Sequence, residues 1–148
     1  MLAQRRDMIA TRYEELDAWR LADSLKKQVY AALETSGAKE HRSFCDQIRE
    51  SAASATANLA EGFGYYRHPE FAKHTRIAKA SLHETQNHIG DGLDRKLWTA
   101  EKATEMHKLA DRAIGACVRL LAHLETTDAP GTKRPAKRRG TTFPKWER

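Results

Sequence analysis

The stretch that most constrains the fold of this chain is residues 44–64, FCDQIRESAASATANLAEGFG. Its apolar residues recur at steps of three and four, the spacing that places side chains on one face of an α-helix. They are Phe44, Ile48, Ala52, Ala55 and Leu59. Only Ser, Ala and Thr occur between Ser51 and Ala57. Because the distance between packed helices depends on side-chain size, this pattern predicts the inner helix of a bundle.

A polar stripe lies beside this apolar face, about 100° around the helix. Its members are Gln47, Ser54, Asn58 and Glu61, joined by Ser81 and Glu84 of a later helix. Buried polar groups must be paired, so a network of this kind fixes the register of packed helices or subunits. The alternative is a ligand-binding or catalytic role, but the stripe brings no nucleophile, metal set or phosphate-binding loop. We therefore expect a structural network and no enzyme.

Three further amphipathic segments predict three more helices. Their apolar positions are Ala18, Leu21, Leu25, Val29 and Ala32 in the first helix, Phe71, Thr75, Ala78, Leu82, Thr85 and Ile89 in the third, and Ala103, Met106, Ala110, Ala113, Cys117, Leu120 and Leu124 in the fourth. Short loops separate the four segments, which is typical of an up-down-up-down bundle. The sequence predicts an all-α bundle over residues 14–125, preceded by an extension of residues 1–13.

The helix ends are predicted from capping residues. The first helix is expected to run from Glu14 to Thr35, with Gly37 in the place of a C-cap. Ser43 starts the second, with Asp46 as a shortened capping box, and Gly62 and Gly64 end it. Pro69 fits the first turn of the third helix, Gly90 and Gly92 loosen its end, and Thr99 is the expected N-cap of the fourth.

The positive charge of the chain is concentrated at its C-terminal end. Of 148 residues with a net charge of +6, residues 129–148 hold seven basic side chains and one acid, which accounts for the whole excess. Three of the four prolines also lie after Glu125, so we predict a flexible basic tail over residues 126–148. Its candidate phosphate contacts are Lys133, Arg134, Lys137, Arg138 and Arg139. The alternative is a solubilising extension.

The third helix carries a second basic feature. Lys73, Arg76 and Lys79 recur at steps of three, His83 follows, and the preceding loop holds Tyr65, Tyr66 and Arg67. Such a stripe is typical of an ordinary solvated helix face. The alternative is a strip that contacts phosphates, with tyrosines that stack on unpaired bases.

No cofactor, metal or membrane segment is expected. Cys45 and Cys117 fall on different predicted helices without a CxxC motif, which indicates two core residues in a reducing compartment. A di-iron bundle needs Glu-x-x-His on two helices, and none of the seven histidines has a glutamate three residues before it. No run approaches the ~20 apolar residues of a membrane span, and the N-terminus lacks an apolar signal region. We expect a cytoplasmic protein.

Two parts of this pattern resemble the signatures of a known family. The first is Gln47-Ile48-Arg49, Ser54 and Asn58-Leu59-Ala60-Glu61-Gly62; the second is Glu70-Phe71 with residues 77–84, IAKASLHE. On these residues the chain is similar to the four helix bundle proteins, also called 23S rRNA intervening-sequence proteins. Leu16, Trp19, Ala22 and Tyr30 fit the first-helix pattern of that family, so the resemblance spans residues 13–125.

The resemblance implies an antiparallel four-helix bundle that assembles as a ring-like homopentamer. The similar accessory proteins of diversity-generating retroelements are basic pentamers that bind nucleic acid and a reverse transcriptase. The resemblance therefore implies RNA or DNA as a partner, with a scaffold that docks a polymerase-type protein as the alternative. The chain departs from the family pattern at four positions. Ala55 stands where a larger aliphatic residue is common, Thr56 where proline is common, Glu50 where a basic residue is common and Ala80 where glycine is common. The basic tail also lies outside the pattern.

Overall fold

The computed structural model describes residues 10–34, 37–65 and 67–127, and in these residues all regular structure is helical. Four long helices carry the fold: α1 (Asp17–Glu34), α2 (Arg42–Phe63), α3 (His68–Asp94) and α4 (Ala100–Thr126). Short 3-10 turns at Tyr13–Glu15 and Ala38–His41 precede α1 and α2. Each helix packs against its neighbour in the chain, and α1 also packs against α4. The predicted all-α four-helix fold is confirmed.

The core consists of the seams that the helical spacing predicts. All five apolar positions of α2, all six of α3 and all seven of α4 are buried, as are four of the five in α1; Leu21 is half-buried. Cys45 and Cys117 are both buried, which confirms them as core residues. Burial raises the pKa of the Cys45 thiol, because the thiolate would lose its hydration. This thiol is therefore protonated at neutral pH.

Two predicted helix starts behave as expected. Thr99 is the N-cap of α4, and its side chain accepts a hydrogen bond from the backbone N–H of Lys102 at 3.1 Å. Pro69 lies in the first turn of α3, where a missing backbone N–H leaves no bond unmade. The starts of α3 and α4 are therefore set by residues at the helix termini, and these can be recognised in the sequence.

Other predicted ends are wrong. The α2 helix begins at Arg42, its N-cap position is His41 with no side-chain cap, and Asp46 pairs with Arg49 instead of completing a capping box. Gly37 has φ −70° and opens the turn before α2, so it is not a left-handed C-cap. The α1 helix starts at Asp17, three residues after the predicted start. A 3-10 turn precedes both α1 and α2, and such turns are frequent at the ends of α-helices.

Gly62 lies inside α2 and does not end it. A Cβ at this position would sit 2.8 Å from Phe71 Cδ2 and 2.8 Å from His74 Cβ. The missing side chain lets α3 approach the last turn of α2, and the helix continues to Phe63. Gly90 and Gly92 likewise lie inside α3, which continues to Asp94. Gly64, the other glycine predicted to end α2, is its C-cap residue, so that prediction is confirmed and only the role of Gly62 is wrong. The predicted end of α3 close after Gly90 and Gly92 also agrees with the observed end at Asp94.

The segment before α1 contributes to the packing. Tyr13 lies edge-on against Trp19 with ring centroids 5.3 Å apart, and Ala10 and Tyr13 pack against the core. Residues 1–9 of the predicted extension lie outside the described residues. None of the helices that the structure describes has the length and apolarity to cross a membrane.

Candidate nucleic-acid interface

The interface between α2 and α3 contains a continuous polar network. Ser54 Oγ and Ser81 Oγ are 2.9 Å apart, and the amide of Asn58 donates to the backbone oxygen of Ser54 at 2.9 Å and to its Oγ at 3.2 Å. His74 Nδ1 lies 3.2 Å from Asn58 Oδ1, and Glu61 Oε2 lies 3.9 Å from the same nitrogen. Four of the six predicted network residues therefore meet, with His74 as an addition.

Two predicted members lie outside this network. Gln47 is exposed and lines a shallow groove of about 280 Å³ beside His41 and Arg95, at the opposite end of α2. Glu84 is exposed and lies 3.5 Å from His88 Nε2 on its own helix. The stripe spacing groups these residues by helix face. Of the six predicted residues, however, only Ser54, Asn58 and Glu61 of α2 and Ser81 of α3 have partners across the interface within the described part of the chain.

A second polar contact between α2 and α3 lies deeper in the interface. Thr85 Oγ1 lies 2.9 Å from Ser51 Oγ and 2.8 Å from the backbone oxygen of Ser81, and both hydroxyl-bearing side chains are buried. Helical spacing predicts Thr85 in the apolar seam and does not predict this pair. The signal was present, because Ser51 lies one turn before Ser54 on the same side of α2.

The basic stripe of α3 is largely open to solvent. Lys73, Arg76 and His83 are exposed, and Lys79 is half-buried. Arg76 Nη1 lies 3.1 Å from Glu125 Oε1 on α4, so one guanidinium of the stripe is held by a carboxylate. Within the described residues no ion pair holds Lys73 or Lys79. The stripe therefore presents two lysines and one tethered arginine.

The loop before α3 adds an aromatic ring to this end of the stripe. The ring of Tyr65 stacks on the imidazole of His74, with centroids 5.2 Å apart and an interplanar angle of 15°, and Tyr65 remains 45% exposed. Arg67 is exposed, with its Nε 3.8 Å from Glu70 Oε2. Tyr66 lies outside the described residues. The polar network thus ends in an exposed aromatic face.

The end of α4 meets the start of α3. His68 Nδ1 lies 2.9 Å from the backbone oxygen of Thr127 and 3.3 Å from its hydroxyl. The rings of His68 and His123 are 5.9 Å apart. The five tail residues predicted to contact phosphates, Lys133, Arg134, Lys137, Arg138 and Arg139, lie outside the described residues. Thr127, the last residue that the structure describes, therefore lies beside the first turn of α3.

The family model of the 23S rRNA-intervening sequence protein matches residues 14–117. The chain belongs to the 23S rRNA-intervening sequence protein family. The resemblance seen in α2 and α3 is thereby confirmed. No curated protein is similar enough to this chain to be matched to it.

As a 23S rRNA-intervening sequence protein, the chain divides into a matched part and an unmatched part. The match contains the polar network and the whole stripe of α3, whereas the last turns of α4 and the basic segment follow it. Among the described residues, no group of three His, Cys, Asp or Glu side chains is arranged to hold a metal ion. The geometry that this family member offers is an exposed basic strip on a fixed pair of helices.

Proposed function

We propose that this chain is a non-enzymatic, cytoplasmic bundle that binds the phosphate backbone of RNA or DNA at one end. The observation that carries the proposal is the contact between His68 Nδ1 and the backbone oxygen of Thr127 at 2.9 Å. It places the end of α4 beside the start of α3. The basic residues 133–139 follow Thr127 in the sequence, which supports the proposal that they act together with the α3 stripe.

The charge distribution along α3 supports this assignment. Residues 67–83 contain four basic side chains, Arg67, Lys73, Arg76 and Lys79, and one acid, Glu70. Residues 84–94 contain three acids and no lysine or arginine. A phosphate chain is attracted to the first half of this helix and repelled from the second, so this charge distribution directs a ligand toward the end of α3 that lies beside Thr127.

The chemistry of this end suits an unpaired strand. Lysines and arginines neutralise phosphates and release counterions, which gives affinity without sequence preference. Tyr65, with its ring backed by His74, offers an exposed face on which a base stacks. We expect binding that depends strongly on salt and weakly on sequence.

The surroundings of the two glutamates predicted for the stripe, Glu61 inside the network and Glu84 outside it, support a structural role. Glu61 lies against His74, and Glu84 lies against His88. Neither arrangement places a nucleophile beside a base, which is the minimum for covalent catalysis. We infer that the network holds α2 against α3 and so fixes the position of Tyr65.

We also infer that the four helices run antiparallel. Contacts between α3 and α4 support this orientation: Gln86 Nε2 donates to Asp111 Oδ1 at 2.7 Å, and Arg76 pairs with Glu125. The residue numbers of the contacts fall along α3 as they rise along α4, which is the rule for antiparallel helices. The pairs Ser54–Ser81 and Asn58–His74 follow the same rule between α2 and α3.

We propose self-association as a ring of five through the outer side of α2. Ala53, Ala57 and Ala60 lie there, and Ala57 is exposed while the other two are half-buried. Small side chains let a second helix approach closely. Light scattering on the full chain is expected to give the mass of a pentamer, and Ala57→Arg is expected to give a smaller species. A monomer at every concentration would overturn the ring.

The binding proposal is tested by fluorescence anisotropy with a 20-nucleotide single-stranded RNA. If about four phosphates are neutralised, affinity falls roughly fifty-fold between 50 and 200 mM salt. A chain ending at Thr127 and the variant K73Q/K79Q are each expected to bind at least tenfold more weakly at 50 mM salt. The matched control K39Q/R42Q removes two exposed cations elsewhere and is expected to bind within twofold of the parent. No binding by the full chain at low salt would overturn the proposal.

A further inference from the structure

A second groove lies between α1 and α4, on a different face of the bundle from the α3 stripe. Its volume is about 640 Å³, which is within the range of small-molecule sites. The side from α1 includes Asp17, Arg20 and Ser24, and the side from α4 includes Asp111, Arg112 and Arg119, with Gly115 between them. None of the described residues of the proposed nucleic-acid end lines this groove.

The groove holds three guanidinium groups and two carboxylates, and both carboxylates have polar partners. Asp17 pairs with Arg20, and Asp111 accepts a hydrogen bond from Gln86 of α3 at 2.7 Å. For Arg112 and Arg119, by contrast, the described residues supply no ion pair or hydrogen bond. Two exposed positive groups therefore remain available on the same wall of the groove.

The geometry of α4 places these two arginines around one glycine. Arg112 and Arg119 are seven residues apart, which is about two helical turns and roughly 10 Å along the helix axis. Arg119 Nη1 lies 3.3 Å from the position that a Cβ on Gly115 would take. The guanidinium of Arg119 therefore lies over the bare backbone of the turn between the two arginines. A larger side chain at Gly115 would compete with it for that space.

We propose that this groove is a binding site for a phosphate group, with Arg112 and Arg119 as its ligands and Ser24 as a hydroxyl donor. The planar fork of an arginine matches the oxygens of a phosphate, and a phosphate has enough acceptor oxygens to engage two arginines at once. The source is either a free nucleotide or a nucleic-acid strand, and both present the same group. The site stands independently of the nucleic-acid function proposed for α3.

The test uses the full chain with inorganic phosphate, adenosine 5′-monophosphate and a single-stranded RNA octamer. Calorimetry and amide chemical shifts are expected to show saturable binding of phosphate and the nucleotide, with shifts at Ser24 and Gly115. The variant R112Q/R119Q is expected to weaken nucleotide binding at least tenfold. K39Q/R42Q removes the same charge from exposed sites outside the groove and is expected to stay within twofold. Absence of saturable binding, or equal loss in both variants, would overturn the site.

A groove-filling variant separates the site from net charge. Gly115→Leu keeps every arginine and replaces glycine by a stronger helix former, so the fold is retained while the groove is blocked. It is expected to lose at least tenfold in nucleotide affinity, and unchanged affinity would contradict the site. K73Q/K79Q is expected to keep nucleotide binding. If K73Q/K79Q loses RNA binding but keeps nucleotide binding, the RNA octamer binds at α3 and the nucleotide binds in the groove. If K73Q/K79Q loses nucleotide binding as well, the groove is not a separate site.

Discussion

The indole of Trp98 lies directly against the bare backbone of Gly92. A Cβ at Gly92 would overlap Cζ2 of the ring. Trp98 Nε1–H also donates to the backbone oxygen of Ile89 at 3.0 Å, so the ring both fills space and satisfies its only polar atom. The last turns of α3 and the connection to α4 are fixed by this contact, because Trp98 stands two residues before α4 begins.

The variant Gly92→Ala tests this packing. We expect a loss of about 1–3 kcal/mol in the free energy of unfolding, since a methyl group must displace the indole. Gly90→Ala is the matched control, because nothing lies within 4 Å of a Cβ at Gly90. There the gain in helix propensity is expected to raise stability by up to about 1 kcal/mol. Denaturant unfolding of both variants measures the difference, and equal stabilities would contradict the packing.

Helical spacing predicts the core of this bundle well but not its glycine contacts. Steps of three and four residues identify which side chains share a face, so Phe44, Ile48 and Leu59 are predicted and found buried. A glycine in a sequence is ambiguous, since it both ends helices and permits close approach. Gly62 and Gly92 are resolved only by their partners, which lie several residues further along the chain.

The polar network gives a second prediction. Asn58→Ala removes the amide that joins Ser54 to His74, and we expect a loss of about 1–2 kcal/mol in unfolding free energy. Gln47→Ala alters the same stripe where it is exposed, and we expect a change within about 0.5 kcal/mol. Thermal unfolding followed by circular dichroism compares them. Similar costs for the two variants would place Gln47 in the network after all.

The contrast between these residues explains what the sequence leaves open in the candidate site. A stripe groups Gln47 with Asn58 because they share a helix face, but pairing depends on what stands opposite. His74 was missed, since a single histidine has no spacing signal of its own. Its role follows from the packing of α3 against α2, which brings it between Asn58 and Tyr65.

Asp23 provides a prediction of pH dependence. Burial raises the pKa of this carboxyl, but hydrogen bonds from Lys27 and Lys26, at 2.9 and 3.0 Å, outweigh burial and leave the pKa below its usual value. Because its pKa is lower in the folded state, the Asp23 carboxylate stabilises the fold at pH values above its unfolded pKa of about 3.9. The fold loses this contribution as the pH falls below that value.

We therefore expect Asp23→Asn to cost about 0.5–1.5 kcal/mol at pH 7 and progressively less below pH ~4. Denaturant unfolding from pH 7 to pH 2.5 measures the difference between variant and parent. The control is Asp46→Asn, which removes an exposed carboxylate paired with Arg49 and is expected to change stability by less than about 0.5 kcal/mol. A cost of Asp23→Asn that does not change with pH would contradict the ion pairs.

The pair of Arg76 and Glu125 gives the sharpest test of the α3 stripe. Glu125 Oε1 lies 3.1 Å from Arg76 Nη1, and both side chains are more than half exposed, so the pair adds little stability. Glu125→Gln releases the guanidinium and removes a negative charge beside the stripe. We expect RNA binding to tighten by roughly two- to threefold at 50 mM salt, a modest change because solvent screens the pair.

The matched control for that variant is Glu105→Gln. Glu105 also lies on α4 and pairs with Lys102 at 3.1 Å, so its substitution changes the net charge by the same amount in a different part of the helix. Fluorescence anisotropy with the same RNA compares the two. If the stripe contacts phosphates, only Glu125→Gln tightens binding, whereas equal tightening by both would show that affinity follows net charge and that the stripe is an ordinary solvated face.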